Sequence, residues 1–189
     1  EVFPIIRKRN SKLQKYLKKM HNIIYADNFF DTKNLEKIFS SYKPHIVVNC
    51  VSLENHNLAS IEENLSIYSF FPLKLSILCE KYNSKFVNFS TNAVFNGFKG
   101  NYHEEDVVNA EDNYGIAKIL GEAYTFKSSL VIRTSFIGGG LKSRNGFLNW
   151  ILSRNDNCDG FSKAYFSGIT VFELASILKK LISLGSFPI

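Results

Sequence analysis

The sequence predicts an α/β fold, a doubly wound parallel sheet with helices on both faces, and three observations carry that expectation. Strand-like and helix-like periodicities alternate from one end of the chain to the other. The strand-like runs are continuously apolar rather than strictly alternating, the pattern of strands covered on both faces. The segments between them are long enough to be the crossover helices that parallel neighbours require. With 189 residues, 45% of them hydrophobic and including 17 Phe and 9 Tyr, the chain can bury a sizeable core. Only 4 Pro and 11 Gly occur and no low-complexity tract is present, which argues against a linker, a collagen-like chain or a disordered tail.

Taken in order, strands are expected at Val2–Ile6, Ile23–Ala26, His45–Cys50, Lys85–Ser90 and Leu130–Thr134. Ser11 can cap a first helix in which Leu13, Leu17 and Met20 fall at helical spacing. Asp31 or Thr32 can cap a second, carrying Leu35, Ile38 and Phe39. The longest helical segment, Ile61–Tyr82, contains Pro72, whose missing N–H should kink the helix or mark a junction. Asn109–Phe126 is the next helix, with Ile116, Leu120 and Tyr124 on one stripe. After Ser135 the character changes: Gly138-Gly139-Gly140 reads as a flexible turn, and Phe147–Ser153 and Val171–Ile182 as helices with no obvious strand between them. The architecture is therefore Rossmann-like, with residues 1–135 as the main domain and 136–189 as part of a smaller region. Ligands of such sheets sit beyond the carboxyl ends of the strands, which directs attention to Arg7–Asn10, Asp27-Asn28, Asn49–Ser52, Ser90–Asn92 and Thr134-Ser135.

Several classes of function are excluded early. The most hydrophobic region, Ile67–Cys79, is broken by Pro72 and Lys74, so no stretch approaches the roughly 18 apolar residues of a spanning helix. The opening residues, Glu1 to Ile6, lack an initiator Met and the ordered regions of a signal peptide, and read as a chain that starts inside a fold. Cys50, Cys79 and Cys158 are odd in number and far apart, which offers neither a disulfide framework nor paired zinc ligands and suits a reducing cytoplasm. The formal charge of +6 is concentrated in Arg7, Lys8, Arg9, Lys12, Lys15, Lys18 and Lys19, a solvated helix face or a phosphate-facing edge. Without interleaved aromatics in a recognised module, it does not read as a nucleic-acid surface. His21, His45, His56 and His103 show no pairing of the kind that binds metal and read as loop or strand-edge residues.

One constellation carries a mechanism. In Tyr114-Gly115-Ile116-Ala117-Lys118 the phenol and the ammonium stand at i and i+4, on one helix face. A neighbouring cation favours phenolate, and a tyrosine so placed can protonate a carbonyl oxygen while hydride is delivered to its carbon. Alone the pattern is weak, since chance supplies about one Tyr-x-x-x-Lys in a chain of this composition. Ser90-Thr91 raises its weight, because it ends an apolar strand at the expected ligand edge and offers a hydroxyl to the same oxygen. Glu104, Glu105 and Asp106 read as a solvated loop, Cys50 as a packing residue, and Phe147, Leu148, Trp150, Ile151 and Leu152 as core or subunit contact.

Ser90-Thr91, Tyr114-x-x-x-Lys118 and Asn49 together resemble the extended short-chain dehydrogenase/reductase superfamily. Longer stretches, Lys43–Cys50, Ser90–Gly97, Gly100–Asp106, Tyr114–Glu122 and Ile132–Ser135, are similar to the dTDP-4-dehydrorhamnose reductase family of nucleotide-sugar reductases, and the similarity runs from Val2 to about Ile182. The resemblance implies an NAD(P)H-dependent reductase of a nucleotide-linked 4-keto-6-deoxy sugar, working in the cytoplasm in cell-surface polysaccharide biosynthesis. It implies that Tyr114 donates the proton, that Lys118 holds the cofactor ribose and lowers the tyrosine pKa, and that Thr91 hydrogen-bonds the reacting oxygen. Asn49, Cys50 and Val51 would line the cofactor along their backbone with Ser90 nearby, and Asp27 and Asn28 would lie near adenine. Ser135 and Phe136 would border nicotinamide and sugar, and Asn92 would face the substrate. Arg7 or Arg9 follows a strand where a guanidinium can take a 2′-phosphate, which favours NADPH over NADH. No metal is expected; the expected partner is the nucleotide sugar, and a second copy of the chain in a homodimer stays open.

Departures from the family pattern are equally legible. The family's glycine-rich phosphate loop is expected to precede Glu1 and its substrate domain to continue beyond Ile189, so the chain reads as part of a longer protein or as a remnant without cofactor. Asn92 and Ala93 stand where relatives carry Asp followed by Tyr or Cys, and Tyr68 stands where the superfamily carries a helix Asn. These changes keep two alternatives in play: an epimerase on the same scaffold, or a non-catalytic subunit like the regulatory subunit of methionine adenosyltransferase.

Overall fold

The computed structural model of the chain describes residues 1–7, 22–26, 28, 30–53, 56–123, 129–138, 147–163 and 165–184. The expected first helix, with Ser11, Leu13, Leu17 and Met20, lies outside them, as do Arg9, Asp27, Tyr124 and Gly139-Gly140. All five expected strands are present, within a few residues of the expected bounds: β1 (Ile5–Arg7), β2 (Ile24–Ala26), β3 (Ile46–Asn49), β4 (Lys85–Phe89) and β5 (Ser129–Ile132). β1 pairs with β2, β4 runs between β3 and β5, and every pairing is parallel. Among the described residues these pairings form two sheets, β1–β2 and β3–β4–β5.

Helix α1 (Thr32–Tyr42) begins where a cap was expected, with the Asp31 carboxylate accepting the Lys33 N–H at 2.9 Å. It buries Leu35 and Phe39 against Phe71, Leu75, Leu78 and Cys79 of the next long helix, against Ala26 of β2 and against the fully enclosed Phe86 of β4. Each such side chain contributes about 1.5–3 kcal/mol through burial. The long helical segment comes in three continuous pieces: α2 (Ile61–Leu65), a π-helical turn (Ser66–Phe70) and α3 (Phe71–Lys81). Ser60 and Glu63 close a capping box at the start of α2. Pro72, in the first turn of α3, brings no N–H to the carbonyl of Tyr68 four residues earlier, and the helix widens into the π turn there.

Helix α4 (Asn113–Ala123) crosses that π turn, and its buried residues are Gly115, Ala117 and Gly121. The stripe picked out by periodicity is not the buried one, since Ile116 and Leu120 are exposed. The reason is steric: a Cβ at position 121 would lie 1.9 Å from the Tyr68 carbonyl oxygen, so the two backbones touch where an ordinary side chain would have stood. Beyond Ser135 the structure adds a parallel pair invisible to periodicity because each strand has two residues, β6 (Phe136–Ile137) and β7 (Ile169–Thr170). Helices α5 (Phe147–Leu152) and α6 (Val171–Leu184) complete this region. Phe147, Trp150 and Leu152 are exposed rather than core residues. No helix among the described residues is long and apolar enough to cross a membrane.

Candidate active site

Three elements converge at the carboxyl end of β4. The strand ends at Phe89 and the chain turns through Thr91 into a 3-10 turn, Asn92–Val94. The Thr91 hydroxyl caps this turn by accepting the Ala93 N–H at 3.1 Å. The start of α4 is pressed against the same turn, because a Cβ on Gly115 would meet the Ala93 carbonyl oxygen at 2.7 Å and the Ala110 Cβ at 2.4 Å. This approach brings the Tyr114 phenol to the Thr91 hydroxyl, which favours its ionised form. Sequence reasoning expected Thr91, Tyr114 and Lys118 to act together, and the structure brings them together.

Two further residues enclose the phenol. The ring of Tyr68, on the π turn, meets Tyr114 edge to face with centroids 5.1 Å apart and planes at 83°. The imidazole of His56 lies over Tyr114 with centroids 4.1 Å apart and planes at 34°. His56 belongs to a 3-10 turn, His56–Leu58, tied down by the fully buried Asn64, whose amide donates to the carbonyls of His56, Ala59 and Ser60 at 3.1–3.3 Å. Spacing gives no hint of this role for His56. Tyr68 was legible only as an unexpected side chain on a helix.

Lys118, one turn beyond Tyr114, donates to the Phe89 carbonyl at 2.8 Å, and its Nζ stands 4.5 Å from the centre of the Tyr68 ring and 5.8 Å from that of Tyr114. Burial lowers the lysine pKa to about 8, against the opposing pull of Glu122. Burial raises the Tyr114 pKa above its ordinary value; the Thr91 hydrogen bond pulls it back, and Tyr68 and Asp112 push it further up. In the free protein burial is the largest influence on Tyr114, while the Lys118 ammonium is engaged by the Phe89 carbonyl and the Tyr68 ring. Burial also lowers the His56 pKa, with Asp112 raising it and Lys118 lowering it.

The other expected site residues divide by the work their side chains do. The Asn49 amide donates to Asn88 at 2.9 Å and its oxygen accepts the Val51 N–H at 3.2 Å, so it shapes the loop after β3 from within. Cys50 is exposed rather than packed, because the chain turns outward immediately after Asn49. Val51 packs against the cluster of Ile67, Tyr68 and Ala117. Asn28 accepts the Phe30 N–H at 2.9 Å and turns the chain from β2 towards α1. Arg7 is the last residue of β1, at the expected edge. The Asn92 side-chain oxygen accepts the Ser135 hydroxyl, linking the ends of β4 and β5, and Phe136 is exposed beside it. The Ser90 hydroxyl, at the end of β4, is buried with no hydrogen-bond partner among the described residues.

Arg133 fastens the outer loop to this group. Its guanidinium makes a forked pair with Glu122, with Nη2 to Oε2 at 2.7 Å, donates to the Glu104 carbonyl at 2.8 Å and covers the Phe95 ring at 5.4 Å. Asp106, in the same acidic loop, pairs with Lys99.

A family model described as the RmlD substrate binding domain matches residues 8–161. The chain belongs to that family. Among relatives of this RmlD-family chain is a dTDP-4-dehydrorhamnose reductase of Aggregatibacter actinomycetemcomitans, 28% identical over 169 residues. The match covers 80% of this chain and 56% of the relative, so the chain spans little more than half of that protein's length. Among solved structures, a hypothetical dTDP-4-dehydrorhamnose reductase from Sulfolobus tokodaii superimposes with a TM-score of 0.76 at 25% identity, covering 97% of this chain and 73% of the other. The dTDP-4-dehydrorhamnose reductase of Bacillus anthracis strain Ames, in complex with NADP, superimposes with a TM-score of 0.74 at 20% identity, over 96% of this chain and 70% of the other. The Rossmann-like fold expected from the alternation of strands and helices is the fold these neighbours share.

Proposed function

We propose that the protein is an NAD(P)H-dependent reductase of a nucleotide-linked 4-keto-6-deoxy sugar, like dTDP-4-dehydrorhamnose reductase, and that it serves cell-surface polysaccharide biosynthesis in the cytoplasm. The observation that carries this reading is the grouping of the Tyr114 phenol with the Lys118 ammonium on one helix face, beside the Thr91 hydroxyl at the carboxyl edge of the sheet. The relatives and the family model support it. Retention of all three groups in one enclosed cluster favours catalysis over the non-catalytic subunit.

The residues at this edge fit a nicotinamide cofactor. The buried Ser90 hydroxyl, unpartnered among the described residues, marks a place where a polar ligand group is wanted, and Lys118 has two ammonium hydrogens beyond the one given to Phe89. We assign Lys118 to the ribose, Asn49, Cys50, Val51 and Ser90 to the cofactor wall, Asp27 and Asn28 to the adenine side, and Ser135 to the nicotinamide side. Asn92 and Phe136 are assigned to the sugar, which residues 136–189 help to hold. When bound, the dinucleotide supplies hydride to the carbonyl carbon. Tyr114 passes its phenolic proton to the ketone oxygen, and the Thr91 hydroxyl donates a hydrogen bond to that oxygen. The raised pKa keeps Tyr114 protonated at neutral pH, the state a proton donor needs before reduction. The Lys118 ammonium beside the ring then offsets the phenolate charge left behind.

The test is fluorescence titration of the full-length protein with NADPH and NADH, followed by loss of reduced-nicotinamide absorbance on adding dTDP-4-keto-6-deoxyhexose. Binding with sugar-dependent oxidation is expected. Binding without oxidation by any nucleotide-linked ketosugar overturns the reductase assignment, and absence of binding supports the non-catalytic subunit. Replacing both Arg7 and Arg9 is expected to weaken NADPH more than NADH; an equal loss removes the 2′-phosphate assignment.

A further inference from the structure

Tyr68 is 2% exposed, and each part of its side chain is engaged. Its hydroxyl accepts the Leu53 N–H at 3.0 Å and shares a hydrogen bond of 3.0 Å with the Ser52 hydroxyl, both in the loop that follows β3. Its ring packs edge to face with that of Tyr114, and the Lys118 Nζ stands 4.5 Å from its centre. A phenol contributes two things there that an amide or an aliphatic group of similar size cannot combine: a negative ring face for a desolvated ammonium and a polar tip for a backbone donor. The backbone around it is built for this placement. The π turn rotates Tyr68 off the regular helical path, Gly121 admits its carbonyl against α4, and the Ser69 hydroxyl donates to the Ala117 carbonyl at 2.7 Å.

We propose that Tyr68 is a positioning residue for Lys118, its ring holding the ammonium beside Tyr114 while its hydroxyl fixes the Ser52-Leu53 loop, so that one side chain sets the lysine and the loop after β3 together. The consequence for cofactor affinity rests on the reductase reading; the hold on Lys118 does not. Around the ammonium stand Glu122 on its own helix, Tyr114, His56 on the 3-10 turn and the Phe89 carbonyl of β4. With Glu122 one turn away, the Tyr68 ring at 4.5 Å is the nearer of the two rings that face the charge, the Tyr114 ring standing at 5.8 Å. A cation held over a desolvated ring is harder to deprotonate, and the interaction corresponds to a shift of about one pH unit in the lysine titration.

The experiment follows the Lys118 ammonium by NMR of nitrogen-labelled lysine, assigned with Lys118→Arg, in the cofactor-free protein. Tyr68→Phe keeps the ring and is expected to leave the Lys118 titration in place. Phenylalanines carrying one, two and three ring fluorines at position 68 drain the ring face with little change of shape, and the titration midpoint is expected to fall with each fluorine. Tyr68→Leu should lower it by about one unit. Should the Leu variant fail to fold, the fluorinated series alone decides. A midpoint that does not move along that series overturns the proposal. In the same series NADPH affinity is expected to weaken in step with the midpoint. If the midpoint falls and affinity for both nicotinamide cofactors is absent throughout, the hold on Lys118 stands and the reductase reading fails.

Discussion

Replacing Gly121 with alanine tests whether the close crossing of α4 over the π turn is what assembles the site. The added Cβ would lie 1.9 Å from the Tyr68 carbonyl oxygen and 3.1 Å from its carbon, and both neighbours are backbone, which cannot rotate aside. The two segments must therefore separate by more than an ångström. Overpacking of this kind costs about 1–3 kcal/mol, and a backbone neighbour places it near 3. Alanine returns about 1 kcal/mol of helix propensity, so the net loss is about 2 kcal/mol. For a protein of this size that corresponds to a fall in Tm of about 4–8 °C. The assay is thermal and urea unfolding of parent and variant, with Gly160→Ala as a control. No atom lies within 4 Å of a Cβ at position 160, so that change should stay within about 0.5 kcal/mol. A Gly121→Ala variant as stable as the parent, with Tyr68 and Lys118 still in contact by NMR, would refute the packing argument.

Tyr114→Phe removes the proton but keeps the ring against His56 and Tyr68; turnover should fall by at least about a hundredfold while NADPH affinity stays within a few-fold, and surviving activity would displace Tyr114 as the donor. Lys118→Met tests the buried amine through pH. The folded pKa of about 8 lies below the ordinary 10.5, so the unfolded chain binds more protons between those values. The lysine thus carries a penalty of about 3 kcal/mol at neutral pH that is relieved as pH rises from about 8 to about 10.5. Stability of the parent relative to the variant should rise across that window in urea titrations, and a flat difference contradicts the burial. Arg133→Met takes the forked guanidinium from the largely buried Glu122 carboxylate and from the Glu104 carbonyl, with an expected loss of about 2–4 kcal/mol. Adding Glu122→Gln should recover part of that loss, and an undiminished single variant would reduce the pair to a surface ornament.

The strands were legible because each is a short, continuously apolar run bounded by polar turns, and Asp31 announced α1 because a carboxylate before an apolar-periodic run has few other uses. Thr91, Tyr114 and Lys118 were legible as residue types at the right spacing. Their pKa logic was not, because spacing says that a cation is near a phenol and nothing about where the ammonium points or how much water is excluded. The short strands β6 and β7 escaped for want of a period, and His56 escaped because its contact with Tyr114 joins residues 58 positions apart.

The misreading of α4 has a common cause with the assembly of the site. Hydrophobic periodicity assumes that a helix buries its large apolar side chains, and it therefore selected Ile116 and Leu120. Helix α4 buries its smallest residues instead, since Gly115 and Gly121 are where it touches the Asn92–Val94 turn and the π turn. A missing Cβ at each contact and a missing N–H at Pro72 let three backbones approach more closely than side-chain packing allows. Only at that spacing can the Thr91 hydroxyl reach Tyr114 while the Tyr68 ring reaches Lys118. The signal was present in the sequence as Tyr-Gly at 114–115, Gly at 121 and Pro at 72. It becomes readable once glycines on a helix face are taken as contact points and a proline inside a helix as the mark of a freed carbonyl.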